Sequence, residues 1–176
     1  MSSYLFTSPQ LGFRRWQTTD LDAFTAINSD PEVMRFFQKP LLKEDTLAMM
    51  ERMERLYEEK GFCYFAVDIL ESQVLLGTIG LGWKTFEADF TPTVDLGYRI
   101  GKAWWNQGFS TEGAAACLDY ARQIHIPELV AIASIGNLAS IQVMKKIGLQ
   151  YWKDFDHSEL QEHPEIQRCS LYHIKF

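Results

Sequence analysis

The stretch Leu96-Gly97-Tyr98-Arg99-Ile100-Gly101-Lys102-Ala103-Trp104-Trp105-Asn106-Gln107-Gly108-Phe109-Ser110-Thr111-Glu112-Gly113 decides how the rest of this chain is read. Its first five residues have strand character, and a loop carrying Gly101 and Gly108 follows. A helix is then expected from about Thr111 to Ile124, with Ala114, Cys117, Leu118 and Ala121 on one face. A helix start presents backbone N–H groups without intrahelical acceptors and a partial positive charge, and a loop glycine lets an anion approach the backbone closely. The segment therefore reads as a phosphate site. Spacing alone leaves a plainer alternative open, in which Gly108 permits a turn and Ser110 or Thr111 caps a helix.

Upstream, residues 11–16 and 62–70 read as strands, and Glu71-Ser72-Gln73 turns the second back into residues 74–83 as a central hairpin. Thr18-Thr19-Asp20 supplies capping oxygens for a short helix to about Asn28, and another short helix is expected from Pro31. The clearest helix spans residues 45–60, where Leu47, Met50, Met53, Leu56 and Tyr57 recur at helical spacing and Gly61 provides a left-handed stop. Downstream of the strand at 94–100 and the helix from Thr111 come a strand at 129–135, a helix at 138–147 closed by Gly148, and strands at 151–155 and 170–174. Strands and helices so interspersed predict an α/β fold, a mixed sheet with helices on both faces.

The 176 residues suit one domain spanning 1–176, and 47% hydrophobic with 23% charged residues excludes long disorder. A net charge of −6 repels phosphate backbones and argues against nucleic acid as partner, while it favours a cationic amine. No run approaches the roughly 20 apolar residues of a membrane span. The start, Met1-Ser2-Ser3-Tyr4, lacks a basic segment followed by an apolar one, so a cytoplasmic location is expected, with no membrane partner. Cys63, Cys117 and Cys169 are far apart and odd in number, which predicts buried reduced thiols, with no metal site.

The segment from Leu96 to Gly113 resembles the coenzyme A pyrophosphate loop of the GNAT superfamily of N-acetyltransferases, in which a strand ending Gly-Tyr leads to a Trp-x-x-Gly-Tyr-Ala-Thr-Glu helix start. Gly136-Asn137-Leu138-Ala139-Ser140-Ile141-Gln142-Val143-Met144-Lys145-Lys146-Ile147-Gly148-Leu149 resembles the second superfamily signature, Asn-x-x-Ser and a helix ending Lys-x-Gly-Phe. Phe13-Arg14-Arg15-Trp16 with Asp20, the segment from Asn28 to Met34, Asp154-Phe155-Asp156-His157 and Leu171-Tyr172 extend the likeness over nearly the whole chain, toward ribosomal-protein alanine N-acetyltransferases.

That resemblance implies a mostly antiparallel sheet of about seven strands, a splayed fourth and fifth strand pair, and acetyl-coenzyme A as co-substrate. The pantetheine arm would lie in the gap beside Tyr98, Ile100 and Gly101. An N–H near Tyr98 or Ile100 would hold the thioester oxygen, and the amides of Gln107, Gly108, Phe109, Ser110 and Thr111 the pyrophosphate. The loop departs from the family at Trp105, where Arg or Gln is common, and at Ser110, where Gly or Ala is common.

On the last helix Asn137, Ser140 and Met144 fall on one side, which by the same likeness faces the coenzyme. Asn137 would hold a main-chain or pantetheine amide, or equally cap its helix. Many superfamily members carry a Tyr general acid where this chain has Met144, and a thioether has no proton to give. Ser140 is then the candidate acid, with a capping role as its alternative. Asp95, at the start of the fourth strand, is placed to act as general base on the acceptor directly or through water, against the alternative of a solvated loop-end carboxylate. Glu87 and Asp89 are weaker candidates, and His157 is a second choice as base. Trp16, Phe36, Phe37, Trp83 and Phe86 either line an acceptor pocket or are core.

The run Gly77-Thr78-Ile79-Gly80-Leu81-Gly82 fails as a dinucleotide fingerprint because it lies within a strand and no helix follows, so these glycines mark close packing or a bulge. The expected activity is direct acetyl transfer to a primary amine, on a small molecule or a peptide, by a monomer or homodimer. The alternative is a non-catalytic acyl-coenzyme A sensor or interaction module with the same fold.

Overall fold

The computed structural model describes residues 4–176, so the reading of Met1-Ser2-Ser3 lies outside the described residues. One sheet organises them, in the order β1 (Phe6–Thr7), β2 (Leu11–Arg14), β3 (Tyr64–Ile69), β4 (Leu75–Lys84), β5 (Thr93–Ile100), β6 (Glu128–Ser134), β8 (Arg168–Lys175), β7 (Gln150–Asp156). The eighth strand, beyond the seven expected, is the two-residue β1, which pairs with Gly12 and Phe13. Every pairing is antiparallel except β5 with β6.

The parallel pair is where the sheet opens. β5 pairs with β4 from Gly77–Ile100 to Lys84–Thr93, whereas its register with β6 is at Asp95–Val130 alone. Beyond that position the two strands part, as the expected fourth and fifth strands should, and alternate amides of β5 lose a strand partner on that side.

Successive residues of a strand face opposite sides, and Tyr98 and Arg99 identify what covers each. Tyr98 reaches α4 (Leu138–Lys146), its hydroxyl donating to the Ser140 carbonyl at 2.7 Å. Its register partner Ile79 lies under α3 (Phe109–Gln123), so close that a Cβ on Gly113 would sit 2.4 Å from Ile79 Cδ1. Arg99 turns the other way, to Asn28 of α1 (Leu21–Ser29) and Met49 of α2 (Lys43–Lys60).

The α2 helix buries Met50 and Met53 and ends at Gly61, whose φ of +76° is the left-handed stop expected of it. Two local expectations fail for physical reasons. Asp20 takes the cap position of α1 but its side chain bonds no α1 amide, because its carboxylate is drawn inward to Arg14 (2.7 and 2.9 Å) and accepts from the Gln17 N–H at 2.8 Å. From Pro31 there are turns and no helix. The Asp30 side chain takes the Glu32 N–H at 2.8 Å, and Met34 and Phe37 bond back over four and three residues without forming a ladder. The tail also contains a short α5 (Pro164–Gln167) that the sequence pattern does not announce.

Candidate active site

The loop between β5 and α3 is shaped by two left-handed residues, Asn106 (φ 59°) and Gly108 (φ 86°). Gly108 is itself the N-terminal cap position, so α3 begins at Phe109, two residues earlier than expected, and Ser110 and Thr111 lie inside its first turn rather than capping it. The first backward helical bond is that of Glu112 to the Gly108 carbonyl at 3.0 Å. The N–H groups of Gln107, Gly108, Phe109, Ser110 and Thr111 meet no acceptor among the described residues. A run of such donors at the positive end of a fifteen-residue helix is the arrangement that holds a pyrophosphate.

Two contacts fix this loop. Trp105, at the position where it departs from the family pattern, folds back and donates from Nε1 to the Ile100 carbonyl at 3.1 Å. Glu112 accepts from the Ser8 hydroxyl (2.6 Å), the Gln10 N–H (2.8 Å) and the Gln10 amide (2.7 Å), tying the helix start to the turn between β1 and β2. Partial burial pushes the Glu112 carboxyl up, but these hydrogen bonds outweigh it and hold it below the ordinary range. Of the residues expected along the coenzyme arm, Gly101 has its N–H committed to the Leu76 carbonyl at 2.9 Å, which leaves Tyr98 and Ile100 as the positions beside the gap.

Across the gap, α4 presents Ser140. Its N–H donates to Asn137 Oδ1 at 3.2 Å and its carbonyl accepts from Tyr98, so its backbone is fixed at both ends while its hydroxyl has no partner among the described residues. Asn137 is thus the helix cap, one of its two anticipated roles. Burial pushes the Tyr98 phenol above its ordinary pKa and keeps it protonated. Met144 is 2% exposed and belongs to the core.

On the opposite face Asp95 is no solvated loop-end carboxylate, being 6% exposed. It accepts from the Tyr64 hydroxyl at 2.6 Å and pairs with Lys84 Nζ at 3.8 Å. Burial, then the Asp95 charge, raises the Tyr64 pKa, and the Asp95 charge raises that of Lys84, so both keep their protons. Glycines of β4 and β5 make this possible: a Cβ on Gly82 would sit 2.5 Å from both Asp95 Oδ1 and the Tyr64 hydroxyl, and one on Gly97 2.8 Å from the Tyr64 ring. Close packing was one of two readings of that glycine run, and Gly77, with φ 145° beside the register shift at Val67/Asp68, supplies the bulge.

Tyr64 and Lys84 were missed because each lies at the end of a strand, Tyr64 opening β3 and Lys84 closing β4, without a motif. Only the glycines opposite them carried a signal. His157 stacks on Phe86 (centroids 4.0 Å) and accepts the Glu159 N–H on Nδ1 at 3.3 Å, which leaves Nε2 as the protonated nitrogen. Burial lowers its pKa. Glu87 and Asp89 remain outside the cluster, Asp89 paired with Lys153 at 2.5 Å. Trp16 and Phe86 are core, whereas Phe37 and Trp83 are exposed, each beneath a cation, Arg99 and Lys60 respectively. The three cysteines are free and buried. Among the described residues no helix is long and apolar enough to cross a membrane.

Residues 10–150 match the Acetyltransferase (GNAT) domain family. Among related sequences, the chain is 28% identical to the uncharacterized protein YkkB of Bacillus subtilis, covering 74% of this chain and 75% of that one. It is 24% identical to the uncharacterized N-acetyltransferase YnaD of the same organism, covering 89% and 96%. Among solved structures, RimL, a ribosomal L7/L12 alpha-N-protein acetyltransferase in complex with coenzyme A, superposes with a TM-score of 0.80 at 15% identity over 99% of this chain and 98% of that one.

Proposed function

The chain belongs to the GNAT acetyltransferase family, and from that premise we propose that it moves the acetyl group of acetyl-coenzyme A to a primary amine by direct attack, without a covalent enzyme intermediate. The carrying observation is the row of unpartnered N–H groups from Gln107 to Thr111 lying beside the gap between β5 and β6. Those donors fit a pyrophosphate, and the gap fits an extended arm pairing with β5 as an added strand. When bound, acetyl-coenzyme A supplies an activated acyl group on a good leaving thiol. An amide of β5 near Tyr98 or Ile100 stabilises the negative charge that develops on the carbonyl oxygen.

Asp95 receives the proton of the acceptor ammonium. Because it is buried behind Tyr64, that transfer runs through a water or through the Tyr64 hydroxyl rather than by direct contact. Ser140, held beside Tyr98 by its backbone and with a hydroxyl free among the described residues, supplies the proton to the departing thiolate. A thiol of pKa about 8.5 leaves readily, so this donation is a modest contribution, about 10²–10⁴-fold at most.

Thiol release from acetyl-coenzyme A, measured over a panel of small amines and peptides with free N-termini, tests the reading. RimL acts on a protein N-terminus by its name, which is the reason for the peptides. Release with one class of amine supports it. Stabilisation by coenzyme A with no release from any amine would make the chain a sensor.

A further inference from the structure

We propose that Arg99 forms an anion subsite in the acceptor pocket, so that the acceptor is a primary amine bearing a carboxylate. The inference rests on the acetyl-transfer reading and names the class of its acceptor. Arg99 follows Tyr98 on β5 but faces α1 and α2, on the same side of the sheet as Asp95, Gly97 and Tyr64. It therefore lies beside the thioester position implied at Tyr98, on the face that holds the acid–base cluster.

Among the described residues no carboxylate pairs with Arg99. Nη1 donates to Asn28 Oδ1 at 2.7 Å and touches Met49 Sδ at 3.7 Å, and the guanidinium stacks 4.0 Å from the Phe37 ring centroid. Nε is enclosed and has no acceptor, and Nη2 has none among the described residues. Burial lowers the Arg99 pKa to about 10, the direction expected of a cation short of a partner.

Arg14, the arginine buried deeper in the same fold, shows what is missing. Its Nε and Nη2 grip both oxygens of Asp68 at 2.7 and 2.8 Å, and Asp20 takes the remaining edge at 2.7 and 2.9 Å. On Arg99 the Nε–Nη2 edge, the one that matches a carboxylate two-to-two, is the edge without a protein partner. The unpartnered donors of the α3 start follow the same end of β5, but α3 packs on the opposite face of the sheet, against Ile79, so the coenzyme's phosphates are provided for there and the anion at Arg99 comes with the acceptor. Phe37, 41% exposed within the irregular segment between α1 and α2, lies over the guanidinium and must swing aside to admit it.

The test compares acceptors in matched pairs: free amino acids against their carboxamides, and peptides with Asp or Glu in the second position against Asn or Gln. The carboxylate member of a pair should have the higher kcat/KM by at least ~10-fold. A preference among free amino acids identifies an α-carboxylate, and one confined to peptides a side-chain carboxylate. Arg99→Gln should bring the ratio toward one, mainly through the KM of the carboxylate member, with KM for acetyl-coenzyme A retained.

Equal rates within every pair, or equal losses on both members in Arg99→Gln, would overturn the subsite while leaving acetyl transfer standing. If no amine releases thiol, acetyl transfer itself fails. Calorimetric binding of N-acetyl amino acids against their amides, with coenzyme A present, then decides the subsite independently: no preference for the acids overturns it.

Discussion

Asp95, Tyr64 and Lys84 each depend on the other two, and that dependence makes the residue scale testable. Asp95→Asn keeps an acceptor for the Tyr64 hydroxyl but removes the charge beside Lys84. Because Lys84 is about one-third exposed, the expected cost is about 1–3 kcal/mol rather than that of a fully buried pair. Adding Lys84→Met should recover part of it in a double-mutant cycle followed by thermal melting. Asp95→Asn should also slow acetyl transfer while the stabilisation by coenzyme A persists, and transfer at the wild-type rate from about pH 6 to 9 would remove Asp95 from the proton path. Gly82→Ala places a methyl 2.5 Å from both oxygens of the Tyr64–Asp95 bond, so turnover should fall with a destabilisation of about 1–3 kcal/mol. Met144 illustrates the opposite lesson. Replacing it with the tyrosine common in relatives would overfill a site that is 2% exposed, so Met144→Tyr should destabilise by a similar amount without raising the rate.

The element that matters most is the start of α3. At Gly108 a Cβ would meet nothing within 4 Å, so the cost of Gly108→Val is the left-handed backbone, about 1–2 kcal/mol, and the protein should still fold. What it should lose is the stabilisation by coenzyme A, which in the wild type is about 2.7 kcal/mol at ~100 times the dissociation constant. A wild-type shift retained in Gly108→Val would place the phosphates elsewhere. The anchor at Glu112 has a pH signature. Its carboxyl titrates lower in the fold than in the unfolded chain, so the fold binds fewer protons there, and its contribution is complete above the unfolded value near 4.3 and is lost as pH falls through the folded one. Glu112→Gln should therefore melt below the wild type at neutral pH, and the gap between the two should close as the pH drops toward about 3. A constant gap would mean that hydrogen-bond geometry, not charge, holds the anchor.

Over the whole molecule, the buried Arg14 joins β2 to β3 through Asp68 and to the turn ahead of α1 through Asp20. Arg14→Met would strand two buried carboxylates at about 3–5 kcal/mol, a fall in melting temperature of roughly 6–20 °C. The same substitution made together with Asp20→Asn and Asp68→Asn should restore much of that loss, because a neutral interior no longer needs the cation. The opening between β5 and β6 is also a property of the whole sheet. Their register is held at Asp95–Val130, the position that also carries the buried Tyr64–Asp95–Lys84 cluster, so the closed end of the gap and the proposed proton acceptor are placed by one residue.

The strand–loop–helix from Leu96 to Gly113, the amphipathic helix stopped at Gly61 and the helix from Leu138 to Gly148 were legible in the sequence, because periodicity and left-handed glycines are local properties of the chain. The roles of Gly108 and Asn137 follow from the same locality, each acting within a few residues of itself. Tyr64 and Lys84 could not be found that way. They reach Asp95 only through the pairing of β4 with both β3 and β5, and the space they use exists because glycines lie across the sheet from them. Asp20 stands at the cap position of α1 without bonding its amides, because its partner, Arg14, lies across a turn and is itself held by Asp68, fifty-four residues from it in the chain. The identity of Arg99 is plain in the sequence, but its lack of a counter-charge is decided by which side chains α1, α2 and the turn between them bring to it, and only long-range packing sets that.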